Sequence, residues 1–211
     1  MNTLEFFSQR HSIRKFKDAD IPQADIETMI KAATLAPSGK NIQNWHFVVV
    51  KNKNKIEAMA KAIEDRNMQL SEFAETDVDR KFSKMIKYHT VFKNAPVVIL
   101  IYAGPYPATG LNLLKASGAT MDEIHSFLKP SPGIQNIGAA MQNLQLAASD
   151  MGYGGCWMTG CNYAAKEIEA VVGLEKEGFH LACMTPIGVP QFDTHNSPPR
   201  NPVSEVMTVI E

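Results

Sequence analysis

Ile134-Gln135-Asn136-Ile137-Gly138-Ala139-Ala140-Met141-Gln142-Asn143-Leu144-Gln145-Leu146-Ala147-Ala148-Ser149-Asp150-Met151, running straight into Gly152-Tyr153-Gly154-Gly155 and Cys156-Trp157-Met158-Thr159, is the stretch on which the fold class turns. Ile134, Ile137, Met141, Leu144 and Ala148 recur at helical spacing. Gly138, Ala139, Ala140 and Ala147 keep much of the remaining surface small, as close helix packing requires. Gly152 is placed to end this helix, Tyr153-Gly154-Gly155 to turn, and Cys156 to Thr159 to begin a strand. The glycines therefore follow a helix and precede a strand, the reverse of the order in a dinucleotide-binding fingerprint. A doubly wound dinucleotide fold is disfavoured, and Gly154 and Gly155 can instead let backbone N–H groups approach a flat ring closely.

Outward from this helix the chain alternates helices and strands. On the C-terminal side, a helix is expected near Ala164 to Val172, a strand through His180-Leu181-Ala182-Cys183-Met184 on to Ile187, and a short helix after Pro202. On the N-terminal side, Ile21-Pro22 opens a helix in which Ile26, Met29, Ile30 and Ala33 share a face until Pro37 stops it. Trp45 to Val50 reads as a strand, Asn54 to Asn67 as a helix, and Val78 to Phe92 as a further amphipathic stretch. Pro96-Val97-Val98-Ile99-Leu100-Ile101-Tyr102 is a near-continuous apolar strand of the kind buried on both faces. Between Gly104 and Pro132, glycines and prolines loosen the pattern around one short helix at Met121 to Leu128. That segment is a candidate lid, with an ordinary surface excursion as the alternative. Neither a repeat nor a domain boundary is visible, so residues 1–211 are expected to form one α+β domain.

With 211 residues, 45% of them hydrophobic, the chain can bury a substantial core. Its 21 basic and 22 acidic residues give a formal net charge of −1, so no overall field favours nucleic acid or an anionic membrane surface. Any anion site must be local. No segment approaches the roughly 20 apolar residues of a membrane span, and Met1 to Glu5 lacks a basic region followed by an apolar run. A cytoplasmic location is expected. Cys156, Cys161 and Cys183 make an odd count at spacings unlike a zinc site, which points to reduced thiols and no metal.

Two motifs carry candidate chemistry. Arg10-His11-Ser12-Ile13-Arg14 sets two guanidinium groups and a hydroxyl on one short run of backbone, a combination suited to phosphate oxygens. Arg200, in Pro199-Arg200-Asn201-Pro202, is a second cation that could join it if the two ends of the chain meet. In Pro37-Ser38-Gly39-Lys40-Asn41-Ile42-Gln43-Asn44-Trp45, the side chains of Ser38, Asn41 and Gln43 sit between a helix stop and a buried strand. Amides that donate and accept suit the edge of a planar heterocycle. The competing reading is a turn whose polar residues satisfy their own backbone.

These motifs, with Ile137-Gly138-Ala139-Ala140-Met141-Gln142-Asn143-Leu144 leading into Gly152-Tyr153-Gly154-Gly155-Cys156-Trp157, resemble in order the landmarks of the FMN-dependent nitroreductase family over nearly the whole chain. The resemblance implies an α+β nitroreductase-like fold, a central mostly antiparallel sheet flanked by helices, in an intertwined homodimer holding FMN between subunits. By position, Arg10, Ser12 and Arg200, with His11 beside them, correspond to phosphate and ribityl contacts. Arg14 corresponds to the basic residue at the flavin N1 and O2 edge, where it would act as an electrostatic stabiliser. Pro37, Ser38, Asn41 and Gln43 correspond to the partner's loop, and Gly154 and Gly155 to the segment near N5 and O4. The chain departs from the commonest pattern at Asn44, where the family often has proline.

The implied activity is reduction of nitroaromatics, quinones or related electron-poor small molecules with NADH or NADPH, by a ping-pong cycle. Flavin N5 carries the hydride and no side chain serves as nucleophile. A specialised flavin enzyme of the same fold, such as a reductive dehalogenase or an enzyme that consumes flavin, is one alternative. A non-catalytic flavin-binding protein is the other.

Overall fold

Strand β2, Val97–Ala103, is buried along its whole length, and it organises everything else. Successive side chains point to opposite faces of a strand. Val97, Ile99, Ile101 and Ala103 accordingly enter one core, while Val98, Leu100 and Tyr102 enter another. The structure, a computed structural model, describes residues 3–192 and 198–211.

β1 (Trp45–Val50) pairs antiparallel with β2 from Trp45 opposite Ala103 to Val50 opposite Val98. On its other side β2 pairs antiparallel with β4 (His180–Gly188), with a register shift at Ile101/Tyr102. The two-residue β3 (Gly154–Gly155) completes the order β1-β2-β4-β3 by pairing antiparallel with β4. Helices α2 (Gln23–Thr34) and α7 (Pro132–Asp150) cover one face, where Ile26, Met29 and Ala33 meet Ile137, Met141 and Leu144. Helices α3 (Lys53–Ser71) and α8 (Ala165–Val172) cover the other through Ile56, Met59, Ile63 and Ile168. The apolar run of β2 is thus continuous because helices coat both sides of the sheet.

The remaining helices are short: α1 (Thr3–Gln9), α4 (Ile86–His89), α5 (Leu111–Ala116), α6 (Met121–Leu128) and α9 (Val203–Val206). Three local readings of the sequence change. The strand expected from Cys156 to Thr159 lies two residues earlier, at Gly154–Gly155, and within the expected span there is a single bridge from Met158 to Met184. Ile134 is exposed rather than part of the α7 core face. The amphipathic stretch at 78–92 is mostly short 3₁₀ turns flanking α4. Within the excursion 104–132, α6 spans the expected residues and starts with a Thr120/Glu123 capping box, and α5 is added before it. Among the described residues no helix is long and apolar enough to cross a membrane.

Candidate functional site

The N-terminal motif runs alongside β3. Ile13 N donates to Gly155 O at 2.8 Å, and Ser12 forms a parallel bridge with Gly155. Farther on, Lys17 N donates to Val189 O and Gln191 N to Lys15 O, so residues 12–17 are held along the same edge. Extended backbone alternates its side chains. Ile13 is buried while Ser12 and Arg14 are exposed.

A cleft of about 260 Å³ opens where this segment meets the C-terminal end of α7. Arg10, His11, Gln145, Ser149, Tyr153, Gly154 and Gly155 line it. Arg10 is half-buried there. The Tyr153 hydroxyl donates to Asp25 Oδ2 at 2.5 Å, and that bond, ahead of burial, pushes its pKa up to about 12. It therefore stays protonated and fixed at the cleft wall. Gln145 is buried and donates to Thr185 Oγ1 at 3.4 Å.

Gly154 and Gly155 are at the cleft, but the room they leave is taken by protein. A Cβ on Gly154 would meet Ile13, and one on Gly155 would lie 2.8 Å from both Pro186 O and Thr185 Oγ1. Their lack of a side chain lets three extended segments close together, which in turn fixes Arg10 and His11 at the mouth.

Arg14 lies outside the cleft lining, with Nη1 3.4 Å from Ser12 O and its guanidinium against the Cys156 thiol. Burial pushes that thiol up, and the nearby guanidinium partly opposes the shift. Arg200 is exposed in the tail that follows residue 197 and does not line the cleft.

The second motif folds as a tight loop, residues 38–43, with Lys40, Asn41 and Gln43 all at positive φ (58°, 52° and 47°). A non-glycine residue in that region costs of order 1 to 2 kcal/mol, least for Asn. Local bonds offset this: Gln43 N donates to Ser38 Oγ at 3.1 Å, and Gln43 Nε2 to Asn41 Oδ1 at 3.1 Å. Part of the polar content thus satisfies the loop itself, as the turn reading expected. Asn41, Gln43 and Pro37 remain exposed and Ser38 is half-buried. Gly39 N donates to Asn136 Oδ1 at 3.1 Å, which docks the loop on the first turns of α7.

The two motifs therefore occupy opposite ends of one helix. Asn136 and Ser149 are thirteen residues apart on α7, about 20 Å at 1.5 Å per residue. The structure gathers Arg10, His11, Gly154 and Gly155 at one end and Pro37, Ser38, Asn41 and Gln43 at the other. Sequence reading missed Asn44, Asn136, Gln145, Ser149 and Tyr153. Asn136 and Gln145 sit among apolar positions of α7 and are revealed only by buried bonds to distant residues, and half-buried Ser149 only by its place in the cleft lining.

The donor set fits a phosphorylated aromatic cofactor: a partly buried guanidinium with His11 and Ser149 in a polar cleft, and a separate amide-rich loop for a heterocycle's edge. The model of the nitroreductase family matches residues 7–189, and the chain belongs to that family. A crystal structure of a BluB-like flavoprotein from Clostridium difficile 630 is 39% identical, with each chain covered in full and a TM-score of 0.92. A Methanothermobacter thermautotrophicus protein, provisionally named NADH dehydrogenase/NAD(P)H nitroreductase, is 26% identical over 192 residues, 90% of this chain and 78% of its own. A structure of oxidised iodotyrosine deiodinase bound to FMN and 3-iodo-L-tyrosine shares the fold at 21% identity and a TM-score of 0.70, covering 99% of this chain and 97% of that one.

Proposed function

From membership in the nitroreductase family as premise, we propose that the chain is an FMN-dependent oxidoreductase, working as a homodimer, that transfers reducing equivalents from NADH or NADPH to electron-poor small molecules. One observation carries the reading. The cationic cleft and the docking point of the amide loop lie at opposite ends of α7, about 20 Å apart along its axis, which supports a loop supplied by a second copy to the ring of a cofactor whose phosphate the cleft holds.

FMN, when bound, supplies the hydride chemistry. Arg10 binds the phosphate from the cleft, and Arg200 joins it from the tail. Ser12 and His11 add hydrogen bonds nearby. The Asn41 and Gln43 amides of the partner orient the ring edge. Arg14 places a positive charge that stabilises the anionic reduced form over the neutral oxidised one. With no nucleophile assigned, one open face serves donor and acceptor in turn, in a ping-pong cycle. The fold shared with a deiodinase adds halogenated phenols to the acceptors worth testing beside nitroaromatics and quinones.

The test begins with the flavin. The purified protein should take up one FMN per chain and bleach rapidly with NADH or NADPH under anaerobic conditions. Failure to take up FMN would overturn the reading, and persistent colour would indicate a carrier instead. Arg10→Ala and Arg200→Ala should each weaken FMN by about 1.5 to 3 kcal/mol, roughly 10- to 150-fold, with riboflavin affinity unchanged because riboflavin has no phosphate. Arg14→Ala should leave a folded protein whose bound flavin has a more negative midpoint potential. Dye equilibration reads it directly, and an unchanged potential would remove Arg14 from the role.

A further inference from the structure

Position 44 holds a buried asparagine, and its contacts are specific. Asn44 is 5% exposed and Asn136 6%. Asn136 Nδ2 donates to Asn44 Oδ1 at 2.8 Å. Asn44 Nδ2 donates to Gly104 O and to Gly133 O, each at 3.2 Å, while Asn136 Oδ1 accepts from Gly39 N.

The backbone forces these orientations. An N–H can only be met by an acceptor, so the Asn136 oxygen must face Gly39. Carbonyls can only be met by a donor, so the Asn44 nitrogen must face Gly104 and Gly133. The one remaining arrangement joins Asn136 Nδ2 to Asn44 Oδ1. Proline at 44 could make none of the side-chain bonds, and aspartate at either site would set a carboxylate oxygen where a donor is required.

Three chain segments meet at this pair: the 38–43 loop where it runs into β1, Gly104 just after β2, and the first two turns of α7 at Gly133 and Asn136, the last two flanking the excursion 104–132. The loop between Gly39 and Asn44 is the one with three non-glycine residues in left-handed backbone. Such strain persists only where the surroundings over-determine it. The pair grips that loop at both ends, through Gly39 N and through residue 44 itself.

We propose that Asn44 and Asn136 are positioning residues for the cofactor. They hold the 38–43 loop in the conformation that meets the flavin ring, and they tie its geometry to the two flanks of the excursion 104–132. The inference rests on the cofactor reading above, and it concerns the ring rather than the phosphate. The pair should therefore act on FMN and riboflavin alike, unlike Arg10.

Asn136→Asp cuts the loop from Asn44, and Asn44→Asp cuts the pair from the excursion. Each is compared with the parent for FMN and riboflavin affinity, midpoint potential of the bound flavin, and melting temperature of the flavin-free protein. The expected result is at least a tenfold loss for both flavins by the same factor and a shifted potential, with flavin-free melting changed too little to leave protein unfolded at the assay temperature. Ser38→Ala removes the exposed loop's bond to Gln43 N without touching the core, and should give the same equal loss at smaller size. Unchanged affinities and potential in both asparagine variants would overturn the proposal, as would losses confined to variants whose flavin-free form is unfolded. A parent protein that binds neither flavin overturns the cofactor reading itself, and this inference with it.

Discussion

Gly155→Ala should lower the melting temperature of the flavin-free protein by several degrees and sharply reduce FMN uptake. The added Cβ would sit 2.8 Å from Pro186 O, 2.8 Å from Thr185 Oγ1 and 3.0 Å from Ile187 Cδ1. All three belong to β4, and one is a backbone oxygen that cannot rotate away. Overpacking of this kind costs typically about 1 to 3 kcal/mol, which for a domain of this size corresponds to roughly 2 to 12 °C.

The functional consequence is larger than the stability change. Gly155 O accepts the bond from Ile13 N, so displacing β3 displaces the segment that carries Arg10 to the cleft. Gly154→Ala should act similarly through Ile13, itself buried, since the new Cβ would fall 2.6 Å from Ile13 Cβ. Gly152→Ala is the comparison. A Cβ there meets nothing within 4 Å, and only its φ of +80° is penalised, so about 1 kcal/mol of backbone strain is expected without loss of FMN. Thermal unfolding and flavin titration of the three variants decide it. Gly155→Ala melting and binding like the parent would mean that β3 can separate from β4 without consequence.

That pair of glycines shows what sequence alone can convey. Hydrophobic periodicity reports burial, so β1, β2, β4, α2 and α7 were legible from the spacing of their apolar residues. β2 was the clearest, because a strand coated on both faces leaves no polar position to blur the pattern. Gly154-Gly155 was legible as a place of close approach, but not as to what approaches. A glycine records absent volume, and whether a ring or an isoleucine fills it depends on residues far along the chain.

The same limit applies to the candidate site. Arg10 and the 38–43 loop could be picked out by residue type. Their separation along α7 could not, because it depends on the docking of Gly39 onto Asn136, residues 97 positions apart. Asn136 and Gln145 gave no signal at all. A buried amide within a helix looks like any other polar residue until its partners, Asn44 and Thr185, are known.

Removing residues 198–211 should yield a monomer that fails to hold FMN. The whole tail is exposed, yet it carries Val203, Val206, Met207, Val209 and Ile210, with Val203 66% and Ile210 92% exposed. Five large apolar side chains along one short segment are an unusual load for a surface in contact with water. Fully burying such a side chain is worth about 1.5 to 3 kcal/mol. Covering even two of them against a second copy would contribute about 3 to 6 kcal/mol, or roughly 10²- to 10⁴-fold in the dimerisation constant. In the proposed homodimer, a separated chain offers a cofactor its cationic cleft without the partner's amide loop. The loss of FMN should therefore follow the loss of the dimer. Arg200 lies in the same tail, so Arg200→Ala in the full chain is the necessary control: it should remain dimeric and lose FMN affinity alone. Sedimentation across a concentration series, read beside flavin content, separates the two effects. A truncated protein that stays dimeric and fully loaded with FMN would show that the tail contributes nothing to the interface, and a monomer that retains FMN would break the link between the second copy and the cofactor.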